Sequence, residues 1–203
     1  MTNTNSCITV TNESNRRGIV QIFHQAPPCD IEKSMATAWL QGPISVTGQL
    51  KLPFSEELGL YVTEVGKSGH DIDYISNKNV PVYSKTQNEV TVIKDEEVYD
   101  LINLRQNNSL KSNQYAILSF GDVVSEESTV GVTKSGVPIC SIGVQPNTLA
   151  IFTIKERYYA RLVSEINHDN IVIDDLSDLF EFTIKENQAQ LTITKDNGWS
   201  QVC

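Results

Sequence analysis

Between Ser128 and Ser164 the chain reads STVGVTKSGVPICSIGVQPNTLAIFTIKERYYARLVS, which leaves almost no room for a helix. Val130 and Val132 alternate with polar neighbours, as a strand with one buried face requires. Lys134-Ser135-Gly136 then turns the chain. Ile139, Ile142 and Val144 follow, and Gln145-Pro146-Asn147-Thr148 turns it again. Leu149, Ile151 and Ile154 mark a third strand, and Tyr158 to Val163 a fourth. Short, evenly spaced strands punctuated by Gly, Pro and Asn predict an all-β fold. The expected architecture is an antiparallel two-sheet β-sandwich of roughly ten short strands, by the spacing rule for such folds.

The rest of the chain has the same texture. Residues 7–11, Gly18 to His24, Val46 to Phe54, Leu58 to Val65, 80–83, 90–93, Tyr115 to Phe120, 171–173, 180–184 and 189–194 read as strands. Ile31 to Leu40 is mixed and fits one helical turn or an irregular strand. Asp174 to Leu179 fits a helical turn. Gly66 to Asn79 and Arg105 to Asn113 are polar and loop-like. With no repeat and no low-complexity linker, residues 1–203 are expected to form one β-sandwich domain.

Charge excludes some partners. The formal net charge is −9, from 25 acidic and 16 basic residues. A phosphate backbone is repelled by such a field, so no nucleic acid is expected. No apolar run nears the roughly 20 residues that a membrane-spanning helix needs. The polar start, MTNTNSCITVTNES, lacks a secretory leader pattern, so the expected location is the cytoplasm, with leaderless export as the other option. Cys7, Cys29, Cys140 and Cys203 are far apart and form no C-x-x-C pair, so they read as free thiols.

Two blocks resemble the RhiA family, small bacterial proteins named for expression in the rhizosphere. The opening Ile8-Thr9-Val10-Thr11-Asn12-Glu13-Ser14 is similar to that family's start, and so is Met35-Ala36-Thr37-Ala38-Trp39. The Gly131 to Ile142 hairpin, Val144-Gln145-Pro146-Asn147-Thr148 and Tyr158-Tyr159 follow in the family's order. Phe54 and Tyr61 stand where the family tends to carry further tryptophans. The resemblance implies a soluble β protein. It carries no reaction and no site residue across.

The motifs with chemistry in them are fragmentary. Gly66-Lys67-Ser68 looks like the end of a phosphate loop, but the glycine needed five residues earlier is Tyr61. His70, Asp73 and His168 form a candidate metal set, two imidazoles and a carboxylate of the kind that suits non-haem iron, although Ile72 breaks the usual H-x-D spacing. Asp169, Asp174, Asp175 and Asp178 could supply carboxylates to calcium, without an EF-hand pattern. No cofactor is expected, and a divalent metal, calcium or iron, is the weaker alternative. Trp39, Arg157, Tyr158 and Tyr159 are the candidate ligand-binding residues, because aromatics beside a charge suit sugars or peptides.

The expected function is a non-enzymatic recognition or interaction protein. Its ligand would be a small molecule, glycan or protein, met by loops at the sandwich ends. Self-association through open sheet edges, giving a homo-oligomer, is a variant. The alternative is a small β-sandwich enzyme (a cyclase, isomerase or metal-assisted hydrolase) with a pocket near Trp39 and Tyr158.

Overall fold

The computed structural model describes residues 6–24, 35–65, 74–82, 86–96, 98–125, 127–164, 172–173 and 179–202. Seventeen strands run through them, with no helix among the described residues. The first half holds β1 (Cys7–Asn12), β2 (Gly18–His24), β3 (Met35–Ile44), β4 (Gln49–Pro53), β5 (Leu58–Val65), β6 (Tyr74–Val82), β7 (Glu89–Asp95) and β8 (Val98–Arg105). The second half holds β9 (Gln114–Ser119), β10 (Ser128–Lys134), β11 (Val137–Gly143), β12 (Leu149–Thr153) and β13 (Tyr158–Val163). It closes with β14 (Val172–Ile173), β15 (Phe180–Phe182), β16 (Gln188–Ile193) and β17 (Trp199–Val202).

The all-β class is as the strand spacing predicts. The layers are a nine-stranded sheet, ordered β15-β13-β2-β3-β11-β10-β5-β6 with β14 beside β3, and two four-stranded sheets, β17-β16-β1-β4 and β12-β9-β7-β8. Two of the pairings are parallel, β1 with β16 and β7 with β9.

The period-2 alternation sets which side chains go inside. Val20, Ile22, Leu60, Val62, Val130, Val132 and Ile142 turn one face of the large sheet inward. They join Ile8, Val10, Leu191 and Ile193 from one small sheet and Val90, Val92, Ile117 and Phe152 from the other, in a single hydrophobic cluster. Each fully buried Val, Leu or Ile contributes roughly 1.5–3 kcal/mol. The β10–β11 hairpin closes through Ser135 (φ 56°) and Gly136 (φ 76°). Two successive positive φ values suit the right-handed twist of the strands they join.

Some expectations change. The mixed stretch before Leu40 is a strand from Met35 onward, and its irregularity is a bulge. Ile22 faces Leu40 and Phe23 faces Ala38, so Trp39 is the extra residue. Tyr74 to Asn79, read as loop, belong to β6, whose register against β5 pairs Val62 with Lys78 and Tyr61 with Asn79. An edge strand of this kind is held by its backbone ladder and needs no apolar alternation. Two further strands, β8 and β17, carry no strong pattern of their own. The loop-like residues 66–73, and residues 174–178 of the helical turn expected from Asp174 to Leu179, lie outside the described residues. Among those described, no helix is long and apolar enough to cross a membrane.

Candidate functional site

Of the four candidate ligand-binding residues, the fold brings two together. Trp39 from the β3 bulge and Tyr158 from the start of β13 lie 5.9 Å apart between ring centroids, with Phe54 5.1 Å from Trp39. Lys134, the last residue of β10, fills the space between the three rings. Its Nζ is 4.9 Å from the Trp39 ring centre, 5.1 Å from Tyr158 and 5.6 Å from Phe54. The ammonium donates to Tyr158 Oη at 2.9 Å and pairs with Glu56 Oε2 at 2.7 Å. The Trp39 Nε1–H donates to the Lys134 carbonyl at 3.1 Å. The Lys134 side chain is 3% exposed and Glu56 49%, so the carboxylate closes the cage from the solvent side. His24 meets Tyr158 edge-on at 4.9 Å, and Phe182 lies behind it at 5.7 Å. Cation–π contacts strengthen when desolvated, so this arrangement ties β3, β10 and β13 together. The cage is therefore occupied from within.

Burial, reinforced by the Glu56 and Glu156 charges, pushes the Tyr158 hydroxyl well above its ordinary value. Burial also raises Tyr99. The sign follows directly. Above about pH 10 the unfolded chain releases these two phenolic protons while the folded one keeps them, so stability falls as pH rises further. In an alkaline titration followed by phenolate absorbance, Tyr158 at least, of the seven tyrosines, should ionise only together with the loss of native circular dichroism, and Tyr99 later than an exposed tyrosine. Smooth ionisation of all seven in the folded protein would contradict these environments.

The other two candidates lie elsewhere. Tyr159 follows Tyr158 on β13 and so points to the opposite, outer face of the large sheet. Arg157 is exposed beside β15, 3.6 Å from Glu181. His70, Asp73 and His168 lie outside the described residues, as do Asp169 and Asp174, Asp175 and Asp178. Among the described residues, no three His, Cys, Asp or Glu side chains gather as a metal centre would need.

Sequence reasoning missed the outer face of the large sheet. Direct cross-strand pairing puts Thr63, Thr129 and Gly143 in one row, and Tyr61, Gly131 and Ser141 in the next. Val62, Val130 and Ile142 between them face the core. These outer residues are nevertheless buried, Tyr61 wholly, Thr129 to 5% exposure and Ser141 to 1%. Tyr61 lies across Gly131 and its hydroxyl reaches the Cys140 carbonyl at 3.5 Å. The Thr129 and Ser141 hydroxyls have no hydrogen-bond partner among the described residues. Beside Thr129, a Cβ placed on Gly143 would meet no atom within 4 Å. (Ser128 is a third such hydroxyl, but alternation turns it toward the core.)

A groove of about 400 Å³ also crosses the β12-β9-β7-β8 sheet, lined by Thr91, Asn103, Leu104, Arg105, Leu118 and Phe120. Its polar end is already satisfied. The buried Glu89 accepts from Arg105 Nε at 2.6 Å and from the Asn107 amide.

Compared with known proteins, residues 3–202 match the family model described as RhiA. No curated protein and no solved structure matches.

Proposed function

The chain belongs to the RhiA family, and from that premise we propose that it is a non-enzymatic recognition protein. Its ligand is a small, uncharged, hydroxylated molecule of the sugar class, taken on the outer face of the large sheet at Thr129 and Ser141. The observation that carries this reading is the pair of buried hydroxyls with no partner among the described residues, next to open space above Gly143. Leaving a buried hydroxyl unpaired costs about 1–3 kcal/mol, and a ligand that donates and accepts there recovers that cost. Sugars present such groups densely. This reading keeps the recognition class expected from sequence and proposes a sheet face as the contact surface in place of the end loops.

Two substitutions test it. Ser141→Ala and Thr129→Val each remove an unpartnered hydroxyl, so each should stabilise the free protein by about 1 kcal/mol. Both should weaken binding to whichever member of a mono- and disaccharide panel the wild type takes by calorimetry. Destabilisation of more than about 1 kcal/mol by both variants would mean that the hydroxyls already have structural partners. Together with a silent panel, that result would overturn the reading.

A further inference from the structure

Arg161 stands on the outer face of β13, in register with Gln21 of β2, which in turn faces Gln41 of β3. Its Nε donates to Gln21 Oε1 at 2.8 Å. Gln21 is fully buried, and its amide nitrogen donates to Gln41 Oε1 at 3.4 Å. The guanidinium is therefore held by one edge, with its carbon 5.2 Å from the centre of the Phe23 ring. Among the described residues, no carboxylate lies within ion-pair distance of Arg161 and no group hydrogen-bonds its two terminal nitrogens. Glu181, level with Tyr159 on the neighbouring β15, contacts Arg157 instead. Burial without a counter-charge pulls the guanidinium down from its ordinary value.

We infer that Arg161 anchors the carboxylate of a small organic acid with an apolar or aromatic body, at a site separate from the Thr129–Ser141 patch. With Nε engaged, the two terminal nitrogens form an end-on fork that matches a carboxylate's two oxygens. The body has somewhere to lie. The partly exposed same-face neighbours of Arg161 are Tyr159 and Val163 along β13 and Ile19 on β2, while the wholly buried Phe23 ring backs the guanidinium from beneath. A guanidinium already stacked on a ring and pinned by a buried amide loses little freedom when it binds. The separation follows from register. Arg161 is level with Gln41 on β3 and Ser141 with Met35, six residues along that strand, or roughly 20 Å at the usual rise. This inference does not rest on the sugar reading.

The test is calorimetric titration of the full chain with benzoate, with benzamide as its neutral counterpart and with inorganic phosphate. Benzoate should bind, and benzamide and phosphate should bind at least about tenfold more weakly, since a charge-assisted fork and an apolar body are both required. Arg161→Gln should lose about tenfold in benzoate affinity, and Arg161→Lys, which keeps the charge but not the fork, an intermediate amount. In the wild type, the Arg161 side-chain Nε resonance should move on adding benzoate, a readout that needs no variant. Unchanged benzoate affinity in Arg161→Gln, or a still Nε resonance at millimolar benzoate, would overturn the proposal. Phosphate binding as tight as benzoate would overturn the requirement for an apolar body.

Discussion

Replacing Gly131 with alanine is expected to destabilise the protein by about 3 kcal/mol or more, the upper range for overpacking a well-filled interior. The added Cβ would stand 2.0 Å from the Cys140 carbonyl oxygen and 2.8 Å from the Tyr61 ring. The first contact is with backbone, which moves only if the β10–β11 pairing moves with it. The second is with a wholly buried ring. Glycine is needed at Gly131 because two neighbours already use its Cβ position: the partner strand's carbonyl and the tyrosine laid across the gap. Gly143 is the control. It lies two residue pairs along the same hairpin, its Cβ would meet nothing within 4 Å, and Gly143→Ala should change stability by less than about 1 kcal/mol. Urea midpoints for the two variants decide the point. Equal, small shifts would mean that the β10–β11 ladder yields easily.

Truncating Lys134 should cost nearly as much. Lys134→Ala empties the space between Trp39, Phe54 and Tyr158 and leaves the buried Tyr158 hydroxyl without the ammonium that it accepts from. Cavity formation and the orphaned hydroxyl together predict a loss of about 3–4 kcal/mol. Lys134→Met separates volume from charge. Methionine refills the cage, makes sulfur–aromatic contacts and has no charge to desolvate, but it orphans the Tyr158 hydroxyl as alanine does, so its loss should be about 1–2 kcal/mol, well short of that for alanine. Glu56→Gln should cost only about 1 kcal/mol, because that carboxylate is half in water and screened. Thermal or urea unfolding of the three variants gives the ordering. A loss under about 1 kcal/mol for Lys134→Ala would show that the lysine is dispensable to the packing. The cage would then be open to a cation brought from outside, and Trp39 and Tyr158 would return as ligand contacts.

Much of the fold could be read from local pattern. The alternation at Ile8 and Val10, at Leu60 and Val62, and at Val130 and Val132 marks strands with one buried face, and all six side chains reach the core. Ser135-Gly136 marks a hairpin and is one. The strand in Lys78 and Asn79 was hidden, because an edge strand rich in Asn and Lys has loop composition and takes its order from the β5 ladder. The fate of the candidate residues was legible only in part. Neighbours on a strand point to opposite faces, so Tyr158 and Tyr159 could not both have met one ligand. Lys134, next to a turn, reads as a solvated charge. Nothing near it in sequence says that Trp39, Phe54 and Tyr158 converge upon it.

By itself, then, the sequence determined what short-range physics can encode: the all-β class, the turn positions and, through its dispersed anchors, membership of the RhiA family. Hydrophobic period and turn chemistry act over a few residues, so they survive in a linear reading. The tertiary structure alone decided the sheet order and what that order places side by side. Thr63, Thr129 and Gly143 come from three strands and meet only because β10 lies between β5 and β11. Gln41, Gln21 and Arg161 align only because β2 lies between β3 and β13. Strand order is set by the joint burial of one face of three sheets, an energy that belongs to no segment of the chain.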